Sequence, residues 1–129
     1  MYELMIPIGI DLFFISQEGG GPGYDQVKCS LWKNPGFSGF LIYPKATMQE
    51  ERLMTMLCNY KDQYIFAIGG AGKNSVERYD IANNIWEYAA GMHEIRIKHG
   101  VCVLKQFAYV FGGWNAQTYL NSIERLDCS

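Results

Sequence analysis

The sequence has few charged residues, few cysteines and no long hydrophobic segment. Only 19% of its 129 residues are charged and 49% are hydrophobic, a composition that excludes a disordered chain. The net charge of −2 provides no strong field that would attract nucleic acid or an anionic membrane. No apolar run approaches the roughly 20 residues needed to cross a bilayer. We therefore expect one globular domain with neither nucleic acid nor membrane as a partner.

The cysteines are too sparse for a disulfide scaffold and too widely spaced for a zinc site. They are Cys29, Cys58, Cys102 and Cys128, and no two are separated by two to four residues. Residues 5–10 are apolar, but the run is short and no Lys or Arg precedes it, so it makes a poor secretory signal. We expect free thiols in a reducing compartment, the cytosol or the nucleus, and adopt a cytoplasmic location.

Glycine and aromatic residues are abundant, and the chain repeats itself. Fourteen glycines and nineteen aromatic residues indicate a β protein with many turns. Residues 74–80 (NSVERYD) return as residues 121–127 (NSIERLD), with five of seven positions identical. An apolar run ending in a glycine pair precedes each copy, at residues 64–70 and 107–113. The motif Met-x-x-x-Arg at Met48 recurs 44 residues later at Met92, which fixes the period of the repeat.

Each unit contains strand signals separated by turn signals. Residues 99–104 and 107–111 are β-branched or aromatic runs joined by two residues, a pattern that predicts a hairpin. After the glycine pair, residues 75–80 predict the next strand, residues 82–84 a turn, and residues 85–88 the last strand. Four strands in about 44 residues are typical of a propeller blade.

Residues 64–127 resemble the Kelch repeat, particularly that of the Kelch-like adaptors. The resemblance lies in the two glycine pairs, the Glu-Arg-Tyr-Asp strand at residues 77–80, Trp86, and the Met-x-x-x-Arg linker at Met92. It implies an all-β fold, a partial Kelch propeller of four-stranded antiparallel blades of about 44 residues. We assign residues 48–91 to one repeat and residues 92–129 to a second repeat that lacks its last strand.

The amino-terminal part departs from this pattern. Residues 1–47 are interpreted as a degenerate blade or an amino-terminal extension, with strands at residues 12–15, 27–32 and 37–43 and turns at residues 19–21 and 34–36. Residues 47–58 carry a capping box and strong helix formers, so their local propensity favours a helix. The repeat favours a linker followed by a strand, and we adopt that interpretation.

Several shared residues fit structural roles better than functional ones. Trp86 is expected to pack between blades, and Tyr79 to do the same with its hydroxyl hydrogen-bonded. Glu77, Arg78 and Arg96 are interpreted as a charged network that ties blade to blade, with a charged-ligand site as the alternative for Arg96.

In Kelch-like adaptors, the residues just after the glycine pair and just after the linker arginine contact the ligand. The resemblance therefore implies partner-binding residues in the loops of one face, with Gln117 and Tyr119 as companions in the longer second loop. A loop tryptophan directly after a glycine turn is the strongest candidate, although its ring could instead fold back over its own loop. The full candidate set is Ala71, Lys73, Ile97, Lys98, Trp114, Asn115, Gln117 and Tyr119, with Gly72, Leu53 and Met54 as further positions.

These observations favour a protein-interaction module, neither an enzyme nor a metal or cofactor protein. The resemblance implies an adaptor for a peptide or protein partner, in ubiquitin-ligase substrate recognition or cytoskeletal scaffolding. The alternatives are a structural subunit that completes a propeller in a larger assembly, or an enzyme of the Kelch copper-oxidase or sugar-isomerase kind. Just under three blades fit in 129 residues, whereas propellers have about four to eight. We therefore expect self-association, or that the sequence is part of a longer chain.

Overall fold

The computed structural model describes residues 2–18, 26–33 and 41–129, and within these ranges it contains eleven β-strands and no helix. The all-β fold predicted from the sequence is confirmed. The strands form three antiparallel sheets that follow one another along the chain. The first sheet contains β1 (Tyr2–Ile8), β2 (Asp11–Glu18), β3 (Gln26–Lys33) and β4 (Leu41–Lys45), in that order.

The second and third sheets share one strand register. The second contains β5 (Met56–Tyr60), β6 (Tyr64–Gly70), β7 (Lys73–Asp80) and β8 (Ile85–Ala89); the third contains β9 (Gly100–Leu104), β10 (Phe107–Phe111) and β11 (Ile123–Asp127). In the second sheet, Phe66 pairs with Cys58 on one side and Arg78 on the other. In the third sheet, Tyr109 pairs in the same way with Cys102 and Arg125. The sequence repeat is therefore a structural repeat.

The strands predicted within the repeat are confirmed, including the hairpin of β9 and β10 and the strands β7 and β8. Asn84, in the predicted turn, has a left-handed φ of 54°, which asparagine tolerates. Residues 46–55 form a linker without a helix, and β5 begins at Met56. The helix indicated by local propensity does not form, because backbone N–H groups of this linker donate to the Glu77 carboxylate instead.

The amino-terminal part forms a complete four-stranded sheet in sequential order. Strand β1 was not predicted, since residues 5–10 were considered only as a targeting signal. The predicted turns at residues 19–21 and 34–36, and residues 37–40 of a predicted strand, lie outside the described residues. The division of the chain into repeats at residues 48 and 92 stays a prediction.

Two apolar clusters hold the three sheets together. Between the first and second sheets, Trp86 packs with Tyr79 and with Phe13, and its ring centroid lies 6.2 Å from that of Phe13. Between the second and third sheets, residues such as Phe66 and Val110 form the other cluster. Burying each large apolar side chain contributes about 1.5–3 kcal/mol, so both contacts are substantial. Strand β5 contacts both β1 and β9, which places the first strands of the sheets side by side.

The aromatic residues at the first contact have the structural roles expected of them. The Trp86 indole N–H donates to the Ala46 carbonyl at 2.9 Å, and the Tyr79 hydroxyl donates to Asn84 Oδ1 at 2.6 Å. Both polar groups are therefore satisfied while their rings are buried, which removes the cost of desolvating them.

The four cysteines are free thiols, three of them buried and Cys102 exposed. Burial raises the pKa of Cys29 and of Cys58 to about 12, because the interior disfavours the thiolate. Among the described residues, no helix is long and apolar enough to cross a lipid bilayer.

Candidate functional site

Arg52, in the linker before the second sheet, is a structural residue with every donor occupied. Its side chain is fully buried and its Nε donates to Glu77 Oε2 at 2.9 Å. Nη1 donates to the carbonyls of Gly69 and Ser75, and Nη2 donates to Ser75 Oγ and Glu50 Oε2. These five hydrogen bonds match the five N–H groups of a guanidinium.

Arg96, in the linker before the third sheet, repeats this arrangement. Its Nε and Nη2 donate to Glu124 Oε2, and its remaining bonds go to the Gly112 carbonyl and to the carbonyl and hydroxyl of Ser122. Again all five N–H groups are used, here in five hydrogen bonds to four acceptor atoms, so none is left to hold a ligand. The Arg96 carbonyl also accepts from the Gly70 N–H at 3.2 Å, so this residue ties the second sheet to the third. The geometry favours the structural role over the charged-ligand alternative.

The carboxylates opposite these arginines also fix the linkers. Glu77 accepts from the backbone N–H groups of Gln49 and Glu50, and Glu124 accepts from those of His93 and Glu94. Burial acts to raise the pKa of Glu124, but these backbone bonds and the contact with Arg96 outweigh it, so the pKa is lowered overall.

Arg78 does not belong to this network, and that part of the prediction was wrong. Its guanidinium lies over the Tyr64 ring at 4.3 Å and its Nη2 is 3.4 Å from Glu87 Oε1, both within its own sheet. Its strand position explains this, because neighbouring residues of a strand point to opposite faces and Glu77 takes the face that meets the linker.

Residues 113–120, the aromatic loop, carry the strongest candidate of the predicted set. Trp114 is half-buried and exchanges two backbone hydrogen bonds with Ile97, at 2.8 and 3.0 Å. The Trp114 ring packs against that of Tyr119 with centroids 4.9 Å apart, and Tyr119 is 73% exposed. The result is an aromatic pair on the surface, fixed to the linker by its backbone.

The sequence of this loop explains its shape. A Cβ on Gly113 would lie 2.5 Å from the Ile97 carbonyl oxygen, so only glycine permits this contact between loop and linker. Asn115 Oδ1 accepts from the N–H groups of Gln117 and Thr118 and closes a turn of the kind asparagine favours. The loop is therefore ordered by its own residues, and Gln117 and Tyr119 remain exposed.

The first repeat supplies the equivalent contact without aromatic side chains. The Ala71 N–H donates to the Leu53 carbonyl at 2.8 Å, as that of Trp114 does to Ile97. Met54 and Lys98 occupy equivalent positions and both have a left-handed φ, 59° and 56°. The exposed Ala71 offers only a methyl group to a partner.

Lys73 is engaged within its own repeat. Its Nζ lies 3.0 Å from Glu50 Oε1, and the Ser75 hydroxyl donates to the other oxygen of that carboxylate. These two hydrogen bonds, with Ser75 the larger influence, lower the pKa of Glu50. The charge of Lys73 is therefore largely balanced before any partner arrives.

The structure places two predicted residues beside others that the sequence interpretation did not include. An open depression of about 620 Å³ is lined by Asn74, His93, Glu94, Ile95, Asn115 and Gln117. Asn74 directly follows the predicted Lys73 at the start of β7, and His93, Glu94 and Ile95 lie in the linker just before the predicted Ile97. The only sequence signal for these four residues was their position in the repeat, because the sequence of a linker does not show which loop packs against it.

The depression and the aromatic loop present amides, aromatic rings and isolated charges. Across the described parts of the chain, no group of three or more His, Cys, Asp or Glu side chains is arranged to hold a metal ion. Such a surface suits recognition of a polypeptide, because amides hydrogen-bond a backbone and aromatic rings contribute contact area at low entropic cost.

Comparison with known proteins identifies the repeat. A family model described as the Kelch motif matches residues 96–129. Kelch-like protein 36 of Rattus norvegicus is 33% identical over 76 residues, which cover 56% of this chain and 12% of that protein. For Kelch-like protein 38 of Mus musculus the identity is 42% over 55 residues, covering 39% and 10% of the two chains.

Kelch-like protein 24a of Danio rerio matches more of the chain. It is 30% identical over 105 residues, which cover 81% of this chain and 17% of that protein. The chain thus spans between 10% and 17% of the length of these relatives. The family-model match and these relatives agree with the repeat seen in the structure. In each repeat, the linker arginine hydrogen-bonds to a carbonyl of the glycine pair and to a carboxylate. Together these findings support a Kelch-repeat family for this chain.

Proposed function

We propose that this protein is a non-catalytic interaction module that binds a peptide or protein partner through the aromatic loop and the neighbouring depression. The single observation that carries the proposal is the surface pair formed by the half-buried Trp114 and the exposed Tyr119, held in place by the backbone contact with Ile97. Tryptophan and tyrosine are enriched among residues that dominate binding energy, and a pre-ordered loop loses little entropy on binding.

The partner contacts that we propose lie on the aromatic loop and on the residues next to it. Tyr119 and Gln117 offer an exposed ring and an amide, Asn115 and Lys98 border them, and Ile97 supports Trp114 from beneath. Ala71 and Lys73, in the first repeat, form the edge of the surface, since one is small and the other is paired with Glu50.

The experiment uses a displayed library of random peptides as its probe. Peptides selected on the immobilised chain are measured against Tyr119→Ala and Trp114→Ala, with Tyr43→Ala as the matched control, because Tyr43 is exposed on β4 of the first sheet and the aromatic loop belongs to the third. We expect the loop variants to weaken binding by about 2 kcal/mol or more and the control to leave it unchanged. Selected peptides that bind all three variants equally would place the partner site elsewhere and contradict the proposal.

A finer proposal is that the module serves in ubiquitin-ligase substrate recognition or in cytoskeletal scaffolding in the cytoplasm. Its support is the resemblance to the Kelch-like adaptors together with cysteines that are few and free. Self-association is also part of the proposal, supported by exposed apolar side chains on the sheets themselves. It can be tested separately from the aromatic loop.

A further inference from the structure

Glu50 and Glu94 hold the same position in successive linkers, yet only the Glu50 carboxylate is paired. The backbone N–H of each residue donates to the carboxylate that faces its linker arginine, so the two positions are structurally equivalent. The Glu50 carboxylate accepts from Arg52, Lys73 and Ser75, at 3.1, 3.0 and 2.6 Å. The side chain of Glu94 is exposed and makes no hydrogen bond or ion pair with any residue that the structure describes.

The second repeat lacks all three of these contacts, at positions that both repeats contain. The position of Lys73 is taken by Leu120, 47 residues later, which has no charge to offer. Arg96 directs Nη2 to Ser122 Oγ at 2.7 Å and to Glu124 Oε2 at 3.1 Å, and so does not bind the linker carboxylate. The hydroxyl of the repeated serine is thus occupied by the arginine alone. The difference between the two carboxylates therefore arises within the linker and the loop that follows the glycine pair.

Glu94 lies beside the aromatic loop. It lines the depression of about 620 Å³ together with Ile95 of the linker and with Asn115 and Gln117 of the loop. The six lining residues include this one carboxylate and neither lysine nor arginine. Lys98, the lysine of the same linker, is exposed, does not line the depression and forms no ion pair within the described part of the chain. The Glu94 carboxylate is therefore accessible to a cation supplied by a partner.

We propose that the partner inserts a basic side chain, lysine or arginine, into this depression and pairs it with Glu94, as Lys73 pairs with Glu50 in the preceding repeat. The inference rests on the proposed function and specifies the chemistry of the partner. The methylene groups of a basic side chain can pack on Ile95, which is 36% exposed, while the charged end reaches the carboxylate. Because charge pairs across an interface contribute more to specificity than to affinity, Glu94 is a specificity-determining residue.

The first test compares the peptides that a displayed random library yields on three immobilised chains: the native chain, Glu94→Gln and Glu51→Gln. Glu51→Gln is the matched control, because Glu51 is an exposed carboxylate of the preceding linker and does not line the depression. We expect one position of the selected peptides to be enriched in lysine or arginine on the native chain and on Glu51→Gln, but not on Glu94→Gln. Basic residues that stay enriched on Glu94→Gln would overturn the proposal.

The second test measures the coupling between Glu94 and the basic residue of one selected peptide, by titration calorimetry. Replacing that peptide residue by glutamine should weaken binding to the native chain about five- to tenfold. The same replacement should change binding to Glu94→Gln by less than about twofold, because the pair is already broken. The effect on the native chain should shrink as salt is added, since ions screen the pair. Equal losses on the two chains would mean that the basic side chain binds elsewhere, and would overturn the proposal.

The third test gives the second repeat the lysine of the first. Leu120→Lys should supply an internal cation to Glu94 and weaken binding of the basic peptide about as much as Glu94→Gln does. The glutamine peptide is the control and should bind Leu120→Lys and the native chain within about twofold of each other. Native affinity of the basic peptide for Leu120→Lys would overturn the proposal. If both peptides bind less tightly, the loop has been disturbed and Glu94→Lys decides: it should select acidic residues at that peptide position, and a retained basic preference would overturn the proposal.

The outcomes distinguish failure of this inference from failure of the proposed function. Selected peptides that need Tyr119 but carry no basic residue overturn the inference and leave the proposed function standing. Peptides that bind Glu94→Gln weakly but bind Tyr119→Ala and Trp114→Ala at native strength contradict the role of the aromatic loop and support the pairing with Glu94. A native chain that yields no specific peptide contradicts both.

Discussion

The linker residue Arg52 donates to Glu77 of the second sheet, and Arg96, 44 residues later, makes the same contact with Glu124 of the third sheet. The first carboxylate is fully buried, whereas the side chain of Glu124 is 14% exposed. Each pair also fixes the linker that leads into its sheet, through two backbone N–H groups. The same pairing of arginine and carboxylate therefore sets the spacing of successive sheets, and only the pair of the third sheet is in contact with water.

Arg52→Met should lower the free energy of unfolding by about 3–5 kcal/mol, because it leaves the buried Glu77 carboxylate without its cation. Arg96→Met should cost less, since water can reach Glu124. Urea denaturation of both variants measures the difference. Arg78→Met is the control and should cost under about 1 kcal/mol, because the ion pair of Arg78 lies at the surface. Equal losses for Arg52→Met and Arg78→Met would contradict the structural role of the linker arginine.

Trp86→Ala should destabilise the protein by about 3–5 kcal/mol, because the indole fills the contact between the first and second sheets and no neighbour can replace its volume. Thermal or urea unfolding provides the measurement. Ile85→Ala, the preceding residue on the opposite and exposed face of the same strand, should cost less than about 1 kcal/mol. A small effect at Trp86 would mean that the first sheet does not pack on the second in solution.

Gly113→Ala should disrupt the aromatic loop, because the added methyl group would lie 2.5 Å from the Ile97 carbonyl oxygen at a φ of 94°. Amide hydrogen exchange at Trp114 should accelerate as its bond to Ile97 is lost. Gly72→Ala is the control: its φ is 71° but no atom lies within 4 Å, so only the left-handed cost of about 1–2 kcal/mol applies. If the Trp114 amide stays protected in Gly113→Ala, the close approach of loop and linker is not required.

Stability should fall as the pH decreases through the range in which His99 titrates. Burial, the largest influence, lowers the pKa of His99 below its ordinary 6.5, with Arg96 acting in the same direction and the bond to the Ile68 carbonyl opposing them. The folded state therefore favours the neutral ring. The contribution of the neutral His99 to the free energy of unfolding is fully present above about pH 6.5. It is lost below that value, because protons then bind the unfolded chain more readily than the folded one.

The measurement is the free energy of unfolding between about pH 8 and pH 5, above the range in which most carboxylates titrate. His99→Gln should flatten the profile in this interval, because glutamine carries no titrating group. An unchanged slope in His99→Gln would assign the pH dependence to other groups.

Local chemistry determined much of this architecture from the sequence. Strand runs such as residues 107–111, the Asn turn at residues 82–84 and the glycine pairs depend on backbone preferences of adjacent residues, and the structure has them where the sequence predicted them. The role of Trp86 was also predicted, because Trp86 matches the tryptophan of the Kelch repeat and a large ring contributes most when it is buried between sheets.

Only the tertiary structure decided which distant groups meet. Local propensity favoured a helix at residues 47–58, but the Glu77 carboxylate, 27 residues beyond Glu50, binds the linker backbone and excludes it. Arg78 was assigned to the network that Arg52 occupies, since sequence proximity to Glu77 does not show that neighbouring strand residues point to opposite faces. The depression beside Asn115 likewise depends on how loop and linker fold together, because its lining residues are joined by long-range contacts that no local pattern encodes.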